Sequence, residues 1–401
     1  MEAYVLDWLN LLGRWVHMVT GIAWIGASLY FVWLDNHLQV PKYSTDVDKG
    51  VGGEIWSVHG GGFYHAQKYT VAPPELPDML HWFKWEAYST WLSGMFLMVL
   101  IYWYGAEIYL IDPTIAELSK PMAIFIGVAV IVSGWVVYDR LCHSPLGRNE
   151  SLLSGVLFIL LVATAFGLCQ LFSGRGAFIH YGAILGTIMV ANVFFVIIPG
   201  QKDLVRAKEE GRAPDPIHGI RGKQRSVHNT YFTLPVLFVM VSNHYASTYG
   251  HEHNWAILVV LTLIGALIRV YFVARHKGSA PLMPLVISAV LLIGLMWALA
   301  PILPTSSSAA PATVAGAFVS DGESLGVVKR RCASCHAAKP IQPGFAAAPK
   351  GVVLESLADL NTHATAIYQQ TVVTRVMPIG NLTQMRASER ELIGRWYMAR
   401  P

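Results

Sequence analysis

The sequence predicts an all-α chain: a polytopic eight-helix transmembrane bundle over residues 1–303, then a small helical domain over residues 315–401. Three observations carry this. Hydrophobic residues make up 54% of the 401 and charged residues only 13%, where an ordinary soluble domain carries about a quarter charged. Eight stretches approach the roughly twenty apolar residues that cross a bilayer. A single C-x-x-C-H motif, Cys332-Ala-Ser-Cys335-His336, organises the last hundred residues.

The apolar stretches fall at about 8–34, 86–110, 121–141, 151–172, 177–199, 231–249, 254–274 and 281–303. The N-terminus lacks the basic segment and small-residue cleavage site of a signal peptide, so the first stretch is expected to remain as a helix. Lys and Arg in alternate loops set the orientation. One set of loops holds Lys42, Lys49, Lys68, Lys84, Arg140, Arg148, Lys202, Arg206, Lys208, Arg212, Arg221, Lys223, Arg225, Arg275 and Lys277; the other holds only Lys120 and Arg175. That asymmetry puts both termini outside the cytoplasm. The basic residues sit in loops between apolar helices, an arrangement that does not suggest nucleic-acid binding.

Residues 304–314, Pro304 to Thr313 and beyond, are small residues and proline, the composition of a flexible or partly extended linker. The 315–401 segment has the size of one class I-like cytochrome c domain. C-x-x-C-H is the pattern of c-type haem attachment: two thiols three positions apart reach two vinyl groups of one porphyrin, and the adjacent His336 reaches its iron. A zinc site needs a second ligand pair, and no other C-x-x-C exists in the sequence. A thioredoxin-like dithiol belongs near a βαβ pattern, which the sequence lacks. Haem c is attached outside the cytoplasm, in agreement with the loop charges. Met377, in Val376-Met-Pro-Ile-Gly-Asn381, is the expected second iron ligand, with Met385 and His363 as alternatives and a core methionine as the bland reading. The stretch from Ser388 to Met398 reads as an amphipathic helix that packs against the helix before Cys332.

Ionisable side chains inside spanning helices point to function. In the first stretch Asn10, Arg14, His17, Gly21, Trp24 and Ser28 recur at spacings of three and four and share one face. His180 and His244 fall at a depth similar to His17. These histidines can clamp a b-type haem, line a substrate pocket, or hydrogen-bond between helices. A second polar group is expected at the cytoplasmic side. It comprises His59-Gly-Gly-Gly62-Phe-Tyr-His65-Ala-Gln-Lys68 and His81-Trp-Phe-Lys84-Trp-Glu86, with Asp139, Arg140, Cys142, His143, Asn192, Arg225, His228 and Arg269 near in depth. Consecutive glycines let a backbone approach a flat ligand or form an anion-binding nest; a positive-inside loop with interfacial tryptophans is the plainer account. An esterase reading of His-Gly-Gly-Gly lacks its G-x-S-x-G nucleophile elbow.

Taken together, Arg14-Trp-Val-His17, Gly21-Ile-Ala-Trp24-Ile-Gly26, the His59–Lys68 and His81–Glu86 segments, Thr187–Phe195, Ser242-Asn-His244-Tyr, the C-x-x-C-H motif and Met377-Pro-Ile-Gly-Asn381 resemble the bacterial membrane-bound, cytochrome-c-linked urate oxidases (urate hydroxylases). The resemblance spans the whole chain. It implies oxidation of urate to 5-hydroxyisourate in purine breakdown, by dehydrogenation and water addition. Electrons would pass to haem c and on to a downstream cytochrome c or terminal oxidase, and the protein would sit in the bacterial inner membrane with its haem domain in the periplasm. A base working near neutral pH is histidine or a desolvated lysine. His65 or Lys68 is expected in that role, with Arg14 or Arg140 as partner to the anion. The rival reading is a membrane-anchored electron-transfer cytochrome subunit with no catalytic site of its own; a transporter with a cytochrome sensor is a third, for which Pro235 is weak support.

Overall fold

The computed structural model describes residues 1–276, 278–300 and 319–400. The expected linker at 304–314 lies outside the described residues. A helix covers the core of each of the eight apolar stretches: Glu2–His37, Trp85–Leu97, Lys120–His143, Glu150–Cys169, Gly174–Ala191, Pro216–Ser242, Asn254–His276 and Met283–Ala298. Among the described residues, five helical spans are both long and apolar enough to cross a membrane, from Tyr4–His37 to Asn254–Arg275.

Two helices run well beyond their apolar stretches. The Gly174–Ala191 helix continues through a π-helical turn, Asn192–Ile197, into Ile198–Glu209. The wider turn precedes Pro199, whose missing N–H an unbroken α-helix cannot accommodate. The Pro216–Ser242 helix starts fifteen residues before its apolar stretch, because Asp215 caps the Ile217 N–H and Pro216 is preset for the first turn. Its polar half, ahead of the apolar part, carries Arg221, Arg225 and His228.

The Gly174–Ala191 helix is the buried axis of the apolar helices. Phe178, His180, Tyr181, Ile184, Leu185 and Ile188 are buried in one cluster with Ala123, Ile131 and Tyr138, Ala165 and Leu168, Val239 and Leu258 from four neighbouring helices. Close approach depends on small residues. A Cβ on Gly127 would lie 2.6 Å from Nε2 of His180. The first helix leaves many large apolar side chains exposed, among them Trp15, Met18 and Ile22, and packs through its Gly13–His17–Gly21–Trp24 face on the Trp85–Leu97 helix.

The fold is mostly helical but not all-α. Val51–His59 and Gly62–Tyr69 pair as an antiparallel hairpin, with Trp56 opposite His65 and His59 opposite Gly62. Gly60 and Gly61 form the two-residue turn with φ of +56° and +80°, the doubly positive pattern that such hairpins demand. The glycine run therefore closes a turn, and no ligand cradle is needed to account for it.

A separate core forms in the C-terminal unit, from Val327, Val328, Leu354, Leu360, Ile367, Met385, Ile393 and Trp396. The final helix, Ala387–Met398, packs on Asp321–Arg331, the helix that precedes Cys332. Trp396 donates to Asp321 at 2.7 Å, and Arg331 pairs with Glu389 at 2.9 Å. The helix begins at Ala387, one residue before the serine that the sequence pointed to, and its N-terminus is closed by Arg386 and Glu389.

This unit sits on one end of the membrane part. A Cβ on Gly380 would come 2.8 Å from the Ile111 carbonyl oxygen and 3.2 Å from that of Ile108. A Cβ on Gly250 would collide with Val376 and lie 2.6 Å from the Thr374 carbonyl oxygen. The segments it touches, around 107–111 and 250, belong to the Lys- and Arg-poor set of loops.

Candidate functional site

The C-x-x-C-H segment continues the Asp321–Arg331 helix by one turn, with the Cys335 and His336 amides both donating to the Cys332 carbonyl. Cys332 and Cys335 thereby share one side of that turn. Burial pushes the Cys332 thiol up to about 12 and raises Cys335 as well, the opposite of a reactive dithiol, which needs its thiolate stabilised. His336 donates from Nδ1 to the Val352 carbonyl at 2.9 Å, which orients the ring and leaves Nε2 for an iron. No group of three or more His, Cys, Asp or Glu arranged for a bare metal ion occurs among the described residues. The donor set therefore fits a covalently attached porphyrin better than zinc. Met377 lies on a half-buried loop outside the core, its backbone held by Gln370 and Arg390. Met385 is only 4% exposed and is a core residue; His363 caps a short helix.

The three histidines expected at one depth differ. His180 is fully buried, and both ring nitrogens are taken: Nδ1 donates to the Gly176 carbonyl at 2.9 Å and Nε2 accepts from Trp103 at 3.3 Å. With Gly127 closed against it, His180 does not fit as a haem ligand. His244 is exposed just past the end of its helix. His17 donates from Nδ1 to the Thr90 carbonyl at 3.0 Å, and Ser93 lies equally near. No contact joins the three among the described residues, so the two-histidine clamp for a b haem has no geometric support.

Two polar assemblies lie at opposite ends of the long helices, the inner named for the Lys- and Arg-rich loops beside it and the outer for the Lys- and Arg-poor ones. The inner one is centred on Arg225, whose side chain is 2% exposed. Its guanidinium pairs with Asp139 at 2.8 Å, donates to Asn192 and lies 5.0 Å over the Tyr138 ring. Tyr138 donates to His228 at 2.8 Å and His228 to Glu150 at 3.1 Å, while Asn192 donates to both Tyr138 and Asn229. Beside this network is a cavity of about 510 Å³, lined by Trp135, Asp139, His143, Phe195, Asp203 and Arg221 among others. Its carboxylates carry histidines, His143 on Asp139 and His218 on Asp203. Arg140, the residue expected from the sequence, is exposed on the other side of the same helix.

His65 and Lys68 do not line that cavity. His65 bonds Glu54 at 2.8 Å and stacks on Trp56, and Lys68 pairs with Asp35 at 2.8 Å on the surface. Glu54 is held below the usual carboxylate range by the Lys42 amide and by Gln67 and His65.

The outer assembly is built on Arg175, next to the start of its helix. Nε donates to the Tyr102 hydroxyl at 3.2 Å and to Asn243 Oδ1 at 3.0 Å, and Tyr102 donates to the same Asn243 oxygen at 3.2 Å. The guanidinium lies 5.0 Å over the Tyr109 ring. Arg14 on the first helix is exposed, bonds Asn10 at 2.6 Å, and its charge acts on Arg175, Tyr102 and Tyr109. The sequence reading missed Arg175, yet a signal was there: it is one of only two cations in loops that otherwise exclude them.

A family profile described as urate oxidase N-terminal matches residues 3–300, the whole membrane part and none of the C-x-x-C-H unit. No curated protein and no solved structure matches the chain. The chain belongs to the urate oxidase N-terminal family, which brings with it a urate-related oxidative function.

Proposed function

We propose that the chain is a membrane-bound urate oxidase that passes electrons to a haem c of its own rather than to oxygen. The single observation that supports this most is the seating of the Met377 loop on the family-matched part, through Val376 against Gly250 and Gly380 against Ile108 and Ile111. A soluble-type oxidase has no use for such a unit, and a plain anchor has no use for a urate oxidase domain. Urate monoanion and water give 5-hydroxyisourate, one proton and two electrons, with the new C–O bond at C5 of the purine. When bound through Cys332, Cys335, His336 and Met377, haem c supplies a one-electron acceptor, so the two electrons leave in succession to a downstream cytochrome c or terminal oxidase.

The residues of the chain then have to bind the anion, orient it and take its proton close to the C-terminal unit. Distance favours the outer end. At 1.5 Å per residue, His37 lies about 35 Å along the helix from Arg14, and Asp139 about 29 Å along its helix from Lys120. The hairpin histidine and the inner cavity are therefore a membrane thickness away. On this reading the C-terminal unit and the outer loops face the periplasm, across an inner membrane from the basic loops.

Anaerobic visible spectroscopy of the purified, oxidised full chain tests the proposal. Adding urate is expected to reduce the haem, form 5-hydroxyisourate and produce no peroxide. Haem that stays oxidised with urate but is reduced by ascorbate would leave the electron-transfer subunit in its place.

A further inference from the structure

We infer that the Arg175–Tyr102–Asn243 triad, with Arg14 and Tyr109 beside it, is a binding site for a small planar anion, and that urate occupies it; the second half of this rests on the proposed function. The case begins with charge. Arg225 at the inner end is neutralised by Asp139 at 2.8 Å. Neither Arg14 nor Arg175 forms an ion pair among the described residues, and their charges act on each other. Arg175 is half-buried, with a second cation beside it and no ion-pair partner among the described residues, an arrangement that is costly unless something else supplies the counter-charge.

The geometry specifies what that something is. Arg175 is pinned by Nε alone, through two bonds to oxygens that are themselves tied together. Its two terminal nitrogens have no acceptor among the described residues. A guanidinium held this way presents two parallel N–H groups, which match the in-plane oxygen and nitrogen edge of a heterocyclic anion. The Tyr109 ring below the guanidinium gives a flat wall, and its backbone carbonyl is fixed by Ser173 at 2.9 Å. The acid that faces this region, Asp7, acts on Tyr109 and makes no ion pair with either arginine.

Position supports the same assignment. Tyr109 lies between Ile108 and Ile111, whose carbonyls Gly380 approaches, and Tyr249 immediately precedes Gly250, which meets Val376. An anion on Arg175 is thus separated from the Met377 loop by a single layer of residues. The inner cavity is the competing site. Its carboxylates, Asp139 and Asp203, already hold Arg225, His143 and His218, and it offers an anion one cation without an ion pair among the described residues, Arg221, against two at the outer end.

Equilibrium dialysis of urate against the ascorbate-reduced, anaerobic full chain in detergent measures binding without turnover. Arg175→Ala is expected to weaken urate binding roughly tenfold to a hundredfold, the value of losing a charge-assisted pair. Arg175→Lys should fall between, because the charge stays and the fork is lost. Asn243→Asp keeps the shape but gives Arg175 an internal counter-ion, and should also weaken binding; it serves if the alanine variant fails to fold. Arg221→Ala should bind as wild type. Wild-type affinity in both Arg175→Ala and Asn243→Asp, or loss confined to Arg221→Ala, would overturn the assignment. If the unmodified protein neither binds urate nor is reduced by it, the proposed function fails and not the site alone.

Discussion

Nδ1 of His336 lies 2.9 Å from the Val352 carbonyl oxygen, so that nitrogen carries the proton and Nε2 carries the lone pair. Sixteen residues separate the two in sequence, and the Leu354 amide returns to the His336 carbonyl at 2.7 Å. The ring is therefore fixed by a two-point contact before any ligand arrives. A histidine set in one tautomer with its second nitrogen outward is the usual arrangement of a metal-binding imidazole.

If haem c is held here, the two methionines of the C-terminal unit should behave oppositely. Met377→Leu removes a thioether ligand and is expected to lower the reduction potential by on the order of 100 mV, within the roughly 0.8 V that axial ligands span. The protein should remain folded, since Met377 lies outside the core. Met385→Leu fills nearly the same volume in the core and should leave the potential unchanged, with a stability cost under about 1.5 kcal/mol. Redox titration of both variants decides the matter. A shifted potential in Met385→Leu and none in Met377→Leu would reverse the ligand assignment.

At the inner end, Arg225→Met should be among the most destabilising single changes in the membrane part. It removes the partner of Asp139 and one donor to Asn192 together. Breaking a buried pair typically costs about 3–5 kcal/mol, and Asp139 is a quarter exposed, so the lower end is expected, about 3 kcal/mol. The double variant Arg225→Met with Asp139→Leu should recover part of the loss, because no charge is then left unpaired. Thermal unfolding in one detergent compares the three. A double variant as unstable as the single would show that Arg225 acts through Asn192 and the aromatic rings instead.

Much of the helical layout is readable because helices long and apolar enough to cross a membrane leave long apolar runs in the sequence, whatever the packing. Asp139, Asn192, Arg225 and His228 could be placed at one depth by counting along their helices, and they do meet. Orientation about the helix axis is less readable. Arg140 follows Asp139 immediately yet points away, since adjacent helical positions lie about 100° apart. The hairpin was missed because its glycines suggest two chemistries at once, a turn and a ligand cradle, and only backbone pairing separates them. Arg175 was missed for a different reason. A single cation in a short loop looks incidental until Tyr102 and Asn243, 73 and 68 residues away, are seen to hold it.

The C-terminal unit should lose local structure in acid before it loses its core. Its helices Asp321–Arg331 and Leu357–Thr362 each begin with a capping box, Ser320 with Glu323 and Ser356 with Asp359. Glu323 is held below its ordinary value of 4.5, chiefly by the Ser320 amide and then the Ser320 hydroxyl. Asp359 is held below 3.8, first by the Ser356 hydroxyl and then by the Glu355 and Ser356 amides. A carboxylate whose folded value is depressed contributes stability that is fully present above its unfolded value and disappears as pH falls through the folded one. Both caps should therefore hold at pH 5 and above and weaken progressively below about 4. Hydrogen exchange of peptides covering 320–331 and 356–363 reads this directly. Protection should fall with pH in that window, and Glu323→Gln with Asp359→Asn should flatten the dependence while lowering protection at pH 7. Unchanged pH dependence in the double variant would assign the acid sensitivity to Glu389, which is also held low and whose pairing with Arg331 ties the last helix to the first.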